Sequence, residues 1–129
     1  MIRVLIVGDH EMYRQVMILQ LETQLDIEVV GVAGSLSEAR TRRLEGVDVA
    51  ILAHVLPDGL GLELIKELRK ASPGVKVLVI NVLEGLAKSQ EALEAGADAV
   101  LGNLAPTDRV LATIRRLKGA HSTAIHPSA

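Results

Sequence analysis

Four side chains able to do proton, phosphoryl or metal chemistry, Asp9, His10, His54 and Asp58, stand in two short segments that each follow an apolar run. Asp9 and His10 are a carboxylate and an imidazole side by side, the smallest pair that could begin a divalent-cation site. Adjacent residues at a helix start point apart, however, so a helix cap or simple exposure accounts for His10 more directly. His54 has a ring nitrogen that can accept a phosphoryl group, but no acid or lysine adjoins it in sequence to activate it. A loop histidine that packs or faces water is therefore expected. A small enzyme using Asp9, His10, His54 and Asp58 is one reading of this rim, and a fold alone would not establish it. His121 and His126 lie far from any carboxylate cluster in sequence and are given no role.

Composition removes several other chemistries. With Cys 0 there is no disulfide, thiolate metal site or cysteine nucleophile. Trp 0, Phe 0 and Tyr 1 leave no aromatic platform for stacking nucleic-acid bases, and the core must be aliphatic. Fourteen Lys and Arg against sixteen Asp and Glu give a net charge of −2, so no basic field is available to neutralise phosphates. Neither G-x-G-x-x-G nor G-x-x-x-x-G-K-[ST] occurs, which disfavours dinucleotide and nucleoside-triphosphate enzymes. No window reaches the roughly 18 apolar residues of a membrane span, and the start is too short for a signal peptide. A soluble cytoplasmic protein without a cofactor is expected.

The elements that must position these residues are legible from the apolar pattern. The 129 residues suit one domain, and 49% hydrophobic content suffices for one core. Five β-branched runs, Ile2–Val7, Ile27–Ala33, Val49–Ala53, Val75–Ile80 and Ala97–Leu101, alternate with helical spacing at His10–Thr23, Ser37–Leu44, Leu60–Ala71, Leu86–Ala95 and Thr107–Lys118. Strands apolar on both faces belong in a parallel sheet covered by helices on each side. Right-handed crossovers then give a doubly wound (βα)₅ domain, with its functional crevice beyond the carboxyl ends of the strands. Asp9, His10, His54 and Asp58 all fall on that rim.

At this point the residues resemble a known family, the receiver domains of bacterial response regulators, and most closely those of the NarL/LuxR type. The resemblance is carried by Ile2 to Glu11, by Asp26-Ile27-Glu28-Val29-Val30-Gly31, by Leu56-Pro57-Asp58-Gly59-Leu60-Gly61-Leu62-Glu63 and by Ala92 to Ala99, over about residues 2 to 118. It implies a flavodoxin-like fold with strand order 2-1-3-4-5. It also implies a site in which an aspartate ending the third strand accepts a phosphoryl group from a kinase. Two acids after the first strand hold a divalent metal there, and a hydroxyl and a lysine contact the phosphoryl oxygens. This chain departs from that pattern at nearly every position. Gly8 stands at the first acid and only Asp9 remains at the second; Ala53 stands at the acceptor, Asn81 at the hydroxyl, Asn103 at the lysine and Val100 at the switch aromatic. Because carboxylates and lysine are lost together, the site has shed charges that are costly without each other, which reads as a natural pseudo-receiver. No metal site is expected; Asp9, with one charge, is the only candidate ligand.

Surface features bear on partners. The first helix carries Met12, Tyr13, Val16, Met17, Ile18, Leu19 and Leu21, more apolar residues than one core-facing stripe can use. Ile18 is expected to point away from the sheet, and with Tyr13 and the fifth-helix residues Arg109, Arg115 and Arg116 it is a candidate interface residue for a homodimer through the first and fifth helices. Arg40, Arg42 and Arg43 read as a solvated helix face. Residues 1–119 form the receiver-like domain. Residues 120–129 read as a linker or tail leading to a helix-turn-helix domain absent from this chain, so DNA would be reached only through that domain. The function expected is a phosphorylation-independent regulatory and dimerisation module of a transcription regulator, switched by concentration, a protein partner or a small ligand. A stand-alone adaptor for another signalling protein is the alternative.

Overall fold

A computed structural model describes residues 1–82, 85–102 and 105–119, the side chains of residues 81, 82 and 85–87 excepted. The long strands are β1 (Ile2–Val7), β2 (Ile27–Ala33), β3 (Val49–Ala53), β6 (Lys76–Val82) and β7 (Ala99–Gly102); two short ones, β4 (Val55–Leu56) and β5 (Gly59–Leu60), follow β3. The helices are α1 (Glu11–Glu22), α2 (Leu36–Ala39), α3 (Ile65–Ala71), α4 (Gly85–Glu94) and α5 (Thr107–Lys118), with a 3₁₀ turn at Gly61–Leu64 before α3. The five long strands form one parallel sheet in the order β2-β1-β3-β6-β7, the doubly wound order expected.

Alternation along each strand divides the core in two. Val4, Ile6, Val49, Ile51 and Leu78 face α1 and α5, where Met17, Leu21, Val110, Ile114 and Leu117 meet them. Leu5, Val7, Ala50, Leu52, Val77 and Val79 face the other way, against Leu36, Ala39, Leu64, Ile65, Leu68 and Ala92 from α2, α3 and α4. Sheet and helices are thus aliphatic on both contacts, as the near absence of aromatic residues requires.

Two elements differ from the expected ones. The second helix is a single turn, Leu36–Ala39, rather than Ser37–Leu44. Its end is met early, since the Thr41 hydroxyl donates to Glu38 O at 2.6 Å, and Arg42 ties the following chain to β2 by donating from Nε to Val32 O at 3.0 Å. The third helix begins not at Leu60 but after the short β4–β5 hairpin and the 3₁₀ turn. Glu63 fixes that start by accepting the Leu60 N–H at 2.9 Å.

The amino ends of the strands are tied by charge. The Asp48 carboxylate accepts the Arg3 N–H at 2.8 Å and pairs with Lys118 at 3.0 Å. Asp98 accepts the Val77 N–H at 2.7 Å and pairs with Arg69 at 3.0 Å, while Arg115 forks onto Asp26 from α5.

Candidate functional site

The crevice at the carboxyl ends begins where β1 and β3 lie in register, Val7 beside Leu52. The next residues, Gly8 and Ala53, are both buried and face one another. Gly8 is held by its own N–H to Ala33 O at 2.9 Å and by the Arg14 guanidinium, whose Nη1 donates to Gly8 O at 2.6 Å. Arg14 lies across the mouth of the crevice toward Gly34 at the end of β2. It is the only cation of α1, and its spacing of four from His10 was the signal in the sequence that it could reach back over the first turn.

Asp9 is exposed, and His10 caps α1 by accepting the Tyr13 N–H on its side chain at 3.3 Å. The two side chains therefore do different things. Asp58 is not placed for catalysis either. Its carboxylate accepts the Ser37 and Leu36 N–H groups, each at 2.9 Å, and these bonds hold it below its usual range.

A divalent cation of the Mg²⁺ type needs about six oxygen ligands with carboxylates among them. Where the resemblance puts the acceptor and the first acid stand the Ala53 methyl and Gly8, and Asp9 is exposed. Among the described residues this donor set does not fit such an ion. Among the described residues no group of three His, Cys, Asp or Glu comes together.

The loop after β3 is built around a close approach. A Cβ on Gly61 would overlap the Ala53 carbonyl oxygen, so the turn into α3 can press against the end of β3 only with glycine there. His54, next along, is 5% exposed and packs under α4, the packed alternative expected of it. An acid that sequence adjacency did not reveal does stand near it: Glu91 on α4, with Oε1 at 3.9 Å from Nε2.

Val100 is half-buried against the α2–α4 side of the core. Asn103, the side chain of Asn81, His121, His126 and residues 120–129 lie outside the described residues. Two hollows flank the sheet. One of about 330 Å³ is lined by Val100, Gly102, Ala105 and Arg109; another of about 440 Å³, lined by Arg3, Gly46, Asp48 and Ser72, lies at the opposite end from the crevice.

The helix surfaces reverse one expectation. On α1 Met17 and Leu21 are buried and Ile18 is half-buried against the same core, while Val16 faces solvent. The exposed apolar stripe is Met12 (74%), Val16 (45%) and Leu19 (66%), at the i, i+4, i+7 spacing of one face. Tyr13 is half-buried and its hydroxyl donates to Ala105 O at 2.9 Å, and burial raises its pKa. Arg115 is engaged by Asp26 and Gln24, whereas Arg109 and Arg116 are exposed. In the second-helix region Arg40 pairs with Glu67, Arg42 with Glu38 and Arg43 with Glu45, the solvated charge face expected.

Comparison with known proteins agrees with this architecture. The family model of the response regulator receiver domain matches residues 4–115. The DNA-binding transcriptional activator DevR/DosR of Mycobacterium tuberculosis is 36% identical over 98 residues, 75% of this chain and 45% of that protein. The response regulator protein VraR of Staphylococcus aureus is 38% identical over 101 residues, 78% of this chain and 48% of that protein. The chain therefore spans about half the length of these relatives. Among solved structures, a CheY-like receiver domain protein from Methanospirillum hungatei superposes with a TM-score of 0.79 at 26% identity, covering 95% of this chain and 97% of that one.

Proposed function

This chain belongs to the response regulator receiver domain family, and we propose that it is a pseudo-receiver, a regulatory contact module that works without phosphoryl transfer. The observation that carries the reading is the pairing of Ala53 with Gly8 at the carboxyl ends of β3 and β1. Where the family places an acceptor carboxylate and a metal-binding carboxylate, two residues without side-chain oxygen face each other. Asp9 is exposed and, among the described residues, belongs to no cluster of ligands that could replace them. The module performs no catalysis and holds no metal.

Its output is contact with other proteins. Two relatives at more than 35% identity are a DNA-binding transcriptional activator and a response regulator, each matched over a little under half of its length. By that likeness the module serves a LuxR/NarL-type regulator in the cytoplasm, with DNA bound by a domain outside this chain. Met12, Val16 and Leu19, with Gln15 and Gln20 beside them and Glu11 and Glu22 at the two ends, form an exposed apolar stripe that meets a second copy of itself across a two-fold axis. The homodimer so formed exists in the resting protein and uses α1, with Tyr13, Ile18, Arg109, Arg115 and Arg116 at or behind its margin.

The deciding experiment is incubation with acetyl phosphate and Mg²⁺ followed by intact mass measurement. The expected result is an unchanged mass. A stoichiometric acid-labile phosphoryl adduct overturns the reading, and an adduct mapped to His54 replaces it with histidine chemistry.

A further inference from the structure

Among the described residues, Nε2 of His54 is the single buried side-chain nitrogen or oxygen without a hydrogen-bond partner. The backbone that carries the ring is fixed, since the His54 N–H donates to Ile80 O and its carbonyl accepts the Gly61 N–H, each at 3.0 Å. A neutral imidazole is tolerable in this aliphatic setting at the cost of one unmet hydrogen bond. A protonated one is not, unless a carboxylate comes to it.

Among the described residues, the charges around the ring leave one carboxylate for that task. On the connection after β3, Asp58 is held by the amino end of α2 and Glu63 by the Leu60 N–H. On α3, Glu67 pairs with Arg40 and Arg69 with Asp98, while Lys66 and Lys70 share its surface. Beside His54, the β6 segment Val77–Ile80 and the β7 segment Ala99–Gly102 are uncharged. On α4, Lys88 and Glu94 flank Glu91 one turn to either side, and among the described residues Glu91 alone comes within ion-pair distance of the ring. Its Oε1 is 3.9 Å from Nε2, about an ångström beyond a charge-assisted hydrogen bond. The Glu91 side chain is half-exposed, so it can move inward.

We propose that His54 and Glu91 form a proton-operated latch between the end of β3 and α4. A proton added to the His54 ring draws the Glu91 carboxylate, and with it the surrounding turn of α4, onto Nε2; loss of the proton releases them. The latch goes beyond the pseudo-receiver reading and does not depend on it, since it concerns a proton on His54 and not a phosphoryl group.

The test is an NMR titration of the full chain between about pH 5 and 8, the range in which histidine changes charge. His10 serves as an exposed reference. The His54 ring signals are expected to titrate, and the α4 amides from Ser89 to Glu94 to shift with the same midpoint. Glu91→Gln removes the anion and should move the His54 midpoint to lower pH and shrink the α4 shifts. His54→Leu should abolish the α4 response. Three results overturn the latch: α4 amides that do not follow the ring, a midpoint that Glu91→Gln leaves in place, or a ring that stays neutral until the domain unfolds. The Glu91→Gln arm decides the matter even if His54→Leu does not fold.

Discussion

A side chain on Gly8 would touch Ala53: a Cβ built there stands 3.7 Å from the Ala53 Cβ, ordinary van der Waals contact. Positions 8 and 53 are thus opposed, and whatever occupies one is felt by the other. Ala53→Asp alone buries a carboxylate among Leu52, Leu56 and Gly8 and should lower stability by about 1–3 kcal/mol, measured by chemical denaturation. It should not restore a phosphorylation switch. Adding Gly8→Asp sets a second carboxylate against the first, and stability should fall further unless Mg²⁺ is supplied. Variants as stable as the parent without the ion would mean that the Arg14 guanidinium, already on Gly8 O, compensates the added charge.

Tyr13 ties α1 to the connection between β7 and α5 through its hydroxyl and Ala105 O. Tyr13→Phe keeps the packing and removes that bond, so a loss of about 0.5–1.5 kcal/mol is expected. Circular dichroism during urea unfolding checks it. No loss would mean that water takes the place of Ala105 at no cost.

Asp58 should make stability depend on pH. Its carboxyl is held low by the Ser37 and Leu36 N–H groups. A group with a depressed folded-state value contributes stability above its unfolded value and loses it as pH falls through the folded one. The melting temperature of Asp58→Ala should therefore lie below the parent's at neutral pH, and the gap should close in acid below the ordinary carboxylate range. A gap independent of pH would assign the effect to the turn and not to the charge.

The proposed dimer is tested at Leu19, which is exposed and closes the carboxyl end of the apolar stripe. Sedimentation should show the parent as a dimer and Leu19→Glu as a monomer with an unchanged circular dichroism spectrum. A monomeric parent at high concentration removes the dimer, and a dimeric variant moves its contact off α1.

The sheet and its order were legible because β-branched runs separated by helical spacing leave few other arrangements. The orientation of α1 was not. Seven of its residues are apolar or aromatic, so periodicity has little contrast, and Met17 and Leu21 rather than Val16 define the buried face. The short β4–β5 hairpin escaped because two-residue strands carry no period, although Pro57-Asp58-Gly59 marked the turn. That residues 8 and 53 bear no side-chain oxygen is plain in the sequence. The approach of Glu91 to His54 is not, since it depends on where α4 settles over the sheet and no local pattern records that.

Tyr13 is the only tyrosine in a chain with no tryptophan or phenylalanine, and it sits on the seam where α1 meets the entry to α5. Its near-ultraviolet emission is consequently a single-site gauge built into the unlabelled protein. A change in that signal on adding a partner or raising concentration reports events at this one seam, and introducing Trp elsewhere gives a second channel against a dark background.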